Sequence, residues 1–309
     1  MRFLNTSTLK FEYVADAELD QPENRYAILS HRWGADEEEV TYDDMISMIT
    51  YNDLWNLEGV GVSTKKGFAK IKGFCRYAAA VGCCYGWIDT CCINKGNSTE
   101  LSEAINSMYM WYEASHICVA YLEDVPKKPF AESEWFDRGW TLQELIAPKI
   151  VGFFDQSWNL IGTKESLQKV LFDITKIPTK VLSHQAELRT CSVAQRMSWA
   201  ASRKTKRVED RAYSLMGLFD VNMSMIYGER DKAFLRLQQH ILQKTKDESL
   251  FAWEMDYLVP FSGLYAPSPS CFKNCHDIIL KPVTRCGSLS FIPCSLSKAT
   301  TFGYQTPQP

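Results

Sequence analysis

The first half of the chain alternates short apolar runs with longer stretches in which apolar residues recur at helical spacing. Residues 3–14 predict a short strand pair, and four later runs are typical of buried strands: 26–30, 85–90, 116–122 and 150–154. Between those runs, apolar spacing predicts three helices: 63–81, 100–114 and 135–146. Buried strands that alternate with helices predict an α/β fold, with a mostly parallel sheet and helices on both faces.

The second half shows helical periodicity alone. It predicts helices over residues 165–171, 193–202, 208–219 and 232–244. Ser192, followed three residues later by Gln195, resembles a capping box at the start of one of them. After residue 259 the chain becomes richer in Pro, Ser, Gly and Cys and loses its periodicity. We therefore expect three parts: an α/β core at 1–160, a helical region packed on it at 161–258, and an irregular tail at 259–309.

Composition excludes several classes of protein. Of the 309 residues, 46% are hydrophobic and 23% are charged, as in ordinary globular proteins. The net charge of −3 provides no basic excess, so we expect no nucleic-acid partner. No apolar run approaches the ~18–20 residues that span a bilayer, and the first residues do not form a secretory signal. Eleven cysteines, including two adjacent pairs, fit a reducing compartment. These features predict a cytoplasmic protein without a membrane span.

Ligands bind open parallel sheets at the carboxyl ends of their strands. The loop that follows Ser30 contains His31, Arg32 and Trp33. The guanidinium of Arg32 can pair with a phosphate, and the indole of Trp33 can stack on a base. The alternative is a packing tryptophan flanked by surface charges.

Two carboxylates are further candidates. Asp89 ends a predicted strand, where it could serve a site or merely cap the following loop. Glu144 lies four residues after Trp140, so the two side chains are expected on one helix face. A carboxylate beside an indole can be a catalytic group in a half-apolar pocket. The alternative is a surface glutamate on an amphipathic helix.

The cysteines do not form a convincing metal site. The adjacent pairs Cys83-Cys84 and Cys91-Cys92 lack C-x-x-C spacing, and neighbours along a strand point to opposite faces. A second group, Cys271, Cys275 and His276, is closer to zinc spacing but lacks a fourth ligand. We expect buried free thiols, no disulfide within the adjacent pairs and no metal. The sequence also lacks the glycine-rich phosphate loop and nucleophile-elbow motifs.

Three separated blocks resemble the signature of the fungal heterokaryon-incompatibility (HET) domain. They occupy residues 26–34 (YAILSHRWG), 86–94 (GWIDTCCIN) and 138–144 (RGWTLQE). Further stretches at 209–219, 227–229 and 233–237 are similar to the segment that follows in the same family. The resemblance covers roughly residues 1–275 and implies a role in nonself recognition that triggers death of fused cells.

HET domains look like distant relatives of Toll/interleukin-1 receptor (TIR) domains, which implies a flavodoxin-like sheet. In NAD-cleaving TIR domains, a glutamate one turn after an aromatic residue is catalytic, and it corresponds to Glu144. The resemblance thus implies hydrolysis of NAD, as substrate and not cofactor, to nicotinamide and an ADP-ribose product. The residues expected to bind this substrate are Ser30, His31, Arg32, Trp33, Asp89 and Trp140. The connection from Ser30 to the second core strand is longer here than in TIR domains.

Two other functions remain open from the sequence. Many TIR domains only assemble signalling complexes, and this chain could be such a module, associating with itself or with a signalling partner. Glu144 would then be an interface residue. A cysteine hydrolase could use Cys91 or Cys92 with His31, although no third group that would orient the histidine is evident.

Overall fold

The strands that the apolar runs predict lie in one sheet, with an additional strand at one edge. The computed structural model describes residues 1–280, apart from 20, 49, 50, 52, 58, 60 and 256–262. Within this part, seven strands form the sheet in the order β2-β1-β4-β3-β5-β6-β7. They are β1 Arg2–Asn5, β2 Phe11–Tyr13, β3 Tyr26–His31, β4 Tyr85–Trp87, β5 Ile117–Tyr121, β6 Val151–Phe154 and β7 Leu160–Thr163.

The helices vary from one turn to more than four. Over the same described residues they are α1 Tyr42–Ser47, α2 Lys66–Ala80, α3 Asp89–Cys92, α4 Ser98–Ala114, α5 Thr141–Ile146, α6 Gln168–Thr175, α7 Thr179–Leu182, α8 Val193–Ser198, α9 Asp210–Tyr213 and α10 Lys232–Lys244.

The four central strands confirm the mostly parallel sheet. β4, β3, β5 and β6 are neighbours and run parallel, whereas β1, β2 and β7 pair antiparallel at the two edges. Numbered among themselves, the parallel strands follow the order 2-1-3-4, which is that of flavodoxin-like sheets. The connections leave β3 and β5 in opposite directions, so a crevice is expected between the carboxyl ends of these two strands.

Helices cover both faces of the sheet, as predicted. Consecutive residues of a strand point to opposite faces, and Gly86 and Trp87 on β4 demonstrate this. A Cβ on Gly86 would lie 2.7 Å from the ring of Phe74 in α2, so only glycine lets this helix approach so closely. The ring of Trp87 packs against Trp111 and Tyr112 of α4, with centroids 5.6 and 6.1 Å away.

The prediction that a strand continues to residue 90 is wrong. β4 ends at Trp87, and Asp89–Cys92 form the one-turn helix α3, in which the Cys92 N–H donates to the carbonyl of Ile88 at 2.8 Å. An aspartate in the first turn of a helix interacts favourably with the helix dipole, which explains the early end of the strand. Asp89 therefore begins a helix, and strand alternation does not apply to Cys91 and Cys92.

The predicted helix at 135–146 is interrupted in the middle. A 3-10 helix covers Glu134–Asp137, and α5 begins only at Thr141. Between them the backbone pairs with a distant residue, because Lys204 N–H donates to the Asp137 carbonyl at 2.6 Å and Gly139 N–H donates to the Lys204 carbonyl at 2.8 Å. This tertiary pairing replaces the helical hydrogen bonds between Asp137 and Thr141.

The apolar runs do not predict the edge strand β7. It follows β6 and extends the sheet to Thr163.

The second half is mainly helical, with several bounds shifted from the prediction. α6 begins and ends later than expected, and α8 and α9 are shorter, with a 3-10 turn at Gly217–Phe219 after α9. α10 has the predicted bounds. Half of the capping box forms: Gln195 N–H donates to Ser192 Oγ at 3.0 Å, while the Gln195 side chain donates to the carbonyl of His276 at 2.9 Å. Of the predicted tail, 259–262 and 281–309 lie outside the described residues.

Candidate functional site

Glu144 is buried beside the end of β3. All six residues of α5 are buried, and Glu144 is 8% exposed. Its Oε2 accepts a hydrogen bond from the Ser30 hydroxyl, and Ser30 Oγ accepts one from Trp135 Nε1 at 2.8 Å. Strand β3, the 3-10 helix and α5 thus bring Ser30, Trp135 and Glu144 into one hydrogen-bonded group at the carboxyl end of the central strand.

The surroundings of Glu144 favour its protonated form. Burial raises the pKa of its carboxyl to about 7, and the charge of Asp89 acts in the same direction. The Ser30 hydrogen bond and the charge of Arg138 oppose this rise in pKa. The prediction that this side chain lies on the surface or in an open cleft is therefore wrong. α5 packs against β3, α4 and α7, and all of its residues are buried.

Two cations from the second half hold α5 at its ends. At the start, Arg203 Nη1 donates to the Arg138 carbonyl at 2.8 Å and to Thr141 Oγ1 at 3.0 Å. At the end, Lys164 Nζ donates to the carbonyls of Leu145 and Pro148. Burial lowers the pKa of Lys164 to about 8 and that of Arg203 to about 10. Neither residue is indicated by the signature blocks, because both lie outside them.

On the α2 side of β3, His31 lies between two carboxylates. It is 4% exposed, with Nε2 3.8 Å from Glu39 Oε2 and Nδ1 4.0 Å from Asp89 Oδ1. Both nitrogens are buried without a hydrogen-bond partner among the described residues. Burial, reinforced by Lys70, lowers the pKa of His31, so the ring is neutral at pH 7. Glu39, which the sequence analysis did not consider, accepts from Lys70 Nζ at 2.7 Å.

Trp33 lies near this group, whereas Arg32 and Trp140 make other contacts. Trp33 Nε1 donates to Asp89 Oδ2 at 2.8 Å, and Lys95 Nζ lies 3.7 Å from the centroid of its ring. Arg32 is exposed and forms an ion pair with Glu134. Trp140 precedes α5, and its side chain hydrogen-bonds the carboxyl of Asp210.

The comparison with known families agrees with the signature blocks. Residues 26–128 match the family described as "Heterokaryon incompatibility protein (HET)". The chain carries a heterokaryon-incompatibility domain. The matched range includes Ser30, His31, Trp33 and Asp89 and ends before Glu144. A second match, over residues 232–268, is to a domain of unknown function, DUF8212.

One curated relative is similar over most of this chain. The "Vegetative incompatibility protein HET-E-1" of Podospora anserina is 45% identical over an alignment of 229 residues that covers 70% of this chain. The aligned region spans only 16% of that relative's length. No solved structure matches. Among the described residues, no helix has the length and apolar character needed to cross a membrane.

Cys91 is a poor candidate nucleophile. It is buried, its Sγ points to the Ile88 carbonyl at 3.9 Å, and burial raises its pKa well above the usual value. A neutral, buried thiol disfavours Cys91 as the nucleophile of a cysteine hydrolase. The adjacent cysteines are free thiols. Within the described part of the chain, no three side chains of the types that bind metals cluster together.

Glu144 lines neither of two clefts on the surface of the described residues. The larger, of about 520 Å³, lies between α2 and the segment after β6. The smaller, of about 340 Å³, lies beside Gly139 and is lined by Arg203 and Arg211. The carboxyl of Glu144, 8% exposed, is therefore closed off from solvent in this conformation.

Replacing Ser30 by alanine is expected to destabilise the fold by about 2–3 kcal/mol. The change removes the acceptor of a buried Trp135 N–H and the donor to Glu144. It also raises the pKa of Glu144 further, since that hydrogen bond favours the charged form. Urea denaturation should show a greater loss at pH 8 than at pH 6, because the carboxylate is charged at the higher pH. Ser7→Ala, at an exposed position, is the control. An equal loss of stability at both pH values would contradict the expectation that the Ser30 hydrogen bond favours the charged form of Glu144.

Proposed function

We propose that the chain acts in vegetative incompatibility and that its HET domain cleaves NAD to nicotinamide and an ADP-ribose product, which leads to cell death. The HET match and the similarity to the incompatibility protein of Podospora anserina support the biological role. The reaction rests on the likeness to NAD-cleaving TIR domains. The observation that carries it is the buried Glu144–Ser30 pair at the carboxyl end of β3.

A single carboxylate is sufficient for this reaction. Nicotinamide leaves NAD as a neutral molecule, so no general acid has to protonate it. The site must stabilise the cationic, oxocarbenium-like ribose, which a nearby carboxylate does by its charge. In the proposal Glu144 supplies that charge, and Ser30 keeps the carboxylate oriented by its hydrogen bond. Arg32, which is exposed, exchanges its ion pair with Glu134 for the pyrophosphate of the substrate.

The closed carboxyl is the resting state in this proposal. Because Glu144 is 8% exposed, NAD reaches it only after the segments around α5 move. Clustering of several chains supplies the contacts that favour the open state. A ligand or partner shifts such an equilibrium only by binding the open form more tightly. The purified, dispersed chain is therefore expected to be nearly inactive.

A second candidate function is a non-enzymatic module for homotypic assembly. One observation favours it: Glu144 is buried, 8% exposed, and lines neither of the two clefts described above. Glu144 would then stabilise the orientation of α5 within a docking surface. In that case clustering would trigger a downstream partner without any turnover of NAD.

NAD turnover, measured with and without forced oligomerisation, separates the two functions. With the chain fused to a dimerising or tetramerising tag, we expect cleavage whose kcat/KM rises with pH as Glu144 ionises. The ionised form of Glu144 is the active one, so activity falls about tenfold per pH unit below the pKa of this carboxyl, which burial in the closed form raises to about 7. No turnover in the clustered chain at any pH would favour the assembly module.

A further inference from the structure

The larger cleft has the position and size of a ligand site. Its volume of about 520 Å³ lies within the usual range of small-molecule pockets. Gly34, which follows β3, and Tyr121, which ends β5, both line it. The cleft thus opens at the carboxyl ends of the two strands from which the chain leaves in opposite directions. Tyr121 pairs with His31 across the sheet, so the cleft lies on the α2 face, opposite the face of Ser30.

An aromatic pair lines one wall of this cleft. The rings of Tyr121 and Trp158 lie with centroids 4.7 Å apart and an interplanar angle of 31°. Trp158 has a φ of 65°, a strained conformation for a bulky residue. Its indole lies directly on Gly73 of α2, where an added Cβ would be 2.3 Å from the ring. A glycine in mid-helix and a strained backbone together hold this half-buried indole at the cleft, and such strain is concentrated at functional sites.

Basic side chains of α2 also line this cleft. Lys66, Lys70 and Arg76 all line the cleft. Lys66 is exposed and forms an ion pair with the half-buried Glu38, an interaction that a bound anion can replace at little cost. Arg76 has no carboxylate within ion-pair distance among the described residues. Glu123, exposed at the rim, likewise lacks an ion pair within the described part of the chain.

We propose that this cleft binds a nucleoside diphosphate group. The base stacks on the indole of Trp158, the phosphates pair with Lys66 and Arg76, and the carboxylate of Glu123 accepts hydrogen bonds from the ribose hydroxyls. A free nucleotide and the ADP half of an NAD molecule other than the one cleaved at Glu144 carry the same group, so either can be the source. Binding here depends only on the cleft and does not require Glu144 to be catalytic.

ADP binding to the full chain, measured by isothermal titration calorimetry, tests the site. We expect saturable binding that the double variant Lys66→Ala/Arg76→Ala weakens by at least about tenfold, through loss of two charged contacts. Trp158→Asn is expected to weaken it similarly, and asparagine tolerates the positive φ. The matched control is Lys169→Ala/Lys180→Ala, which removes two exposed cations outside the cleft. Thermal melts establish that each variant is folded.

Two further experiments identify which molecule carries the bound ADP group and distinguish this site from Glu144. If NAD displaces ADP, the cleft holds the ADP half of NAD, whereas a lack of displacement identifies a free nucleotide as the ligand. Glu144→Gln should bind ADP as the parent does, even where it loses turnover. No saturable ADP binding at millimolar concentration, or equal binding by the cleft variants and the control, would overturn the proposal.

Discussion

Replacing Glu144 by glutamine is expected to lower NAD cleavage by the clustered chain about a hundredfold or more. Removing a preorganised electrostatic partner of the transition state typically raises the barrier by roughly 3–4 kcal/mol. Glutamine keeps the size of the side chain and can still accept the Ser30 hydrogen bond. The loss of NAD cleavage therefore measures the contribution of the Glu144 charge. Killing of cells that express the clustered chain should fall with turnover.

The same variant is expected to be more stable than the parent at high pH. Burial raises the pKa of Glu144 from 4.5 to about 7 in the folded state. The folded chain therefore binds this proton more tightly than the unfolded chain, and the parent loses stability as pH rises from about 4.5 to about 7. Above pH 7 the loss approaches about 3 kcal/mol, at roughly 1.4 kcal/mol per pKa unit.

Urea denaturation of both proteins at pH 4.5 and pH 8 measures this difference directly. Glutamine does not titrate, so the variant should match the parent at pH 4.5 and exceed it by up to about 3 kcal/mol at pH 8. Glu165→Gln, at an exposed position, serves as the matched control for turnover and stability. If Glu144→Gln cleaves NAD and kills cells as the parent does, Glu144 is not the catalytic group.

Replacing Trp135 by alanine is expected to cost about 3–5 kcal/mol of the free energy of unfolding. The side chain is 1% exposed and packs edge-on against Phe136 and Phe153, with centroids 5.1 and 5.7 Å away. It also donates to Ser30 Oγ, so the large cavity forms next to the residue that holds Glu144. Urea denaturation should show a decrease in midpoint with little change in slope.

Trp135→Phe separates the packing of the ring from its hydrogen bond. Phenylalanine keeps most of the aromatic contacts and removes the N–H donor, so a loss of only about 1–2 kcal/mol is expected. A Trp135→Ala variant whose free energy of unfolding lies within about 1 kcal/mol of the parent's would contradict this prediction. It would mean that neighbouring rings fill the cavity, which the dense packing of protein interiors opposes.

Much of the architecture could be predicted from periodicity. Runs such as 26–30 are apolar because both faces of a central parallel strand are covered, and this indicates the sheet directly. α10 was predicted with its observed bounds because thirteen residues display a full amphipathic pattern. The signature blocks also identified the HET domain. These features are encoded locally, so neighbouring residues were sufficient to indicate them.

The tertiary structure alone decided the environment of the candidate carboxylate. α5 has six residues, too few for a pattern to indicate which face is exposed. Its burial depends on β3, more than a hundred residues earlier, and its ends are held by Lys164 and Arg203 from the second half. Backbone pairing with Lys204 likewise interrupts the helix predicted at 135–146. Contacts between distant segments set burial, and burial sets the pKa of Glu144. Its position on a helix was therefore foreseeable from sequence, whereas its closed surroundings were not.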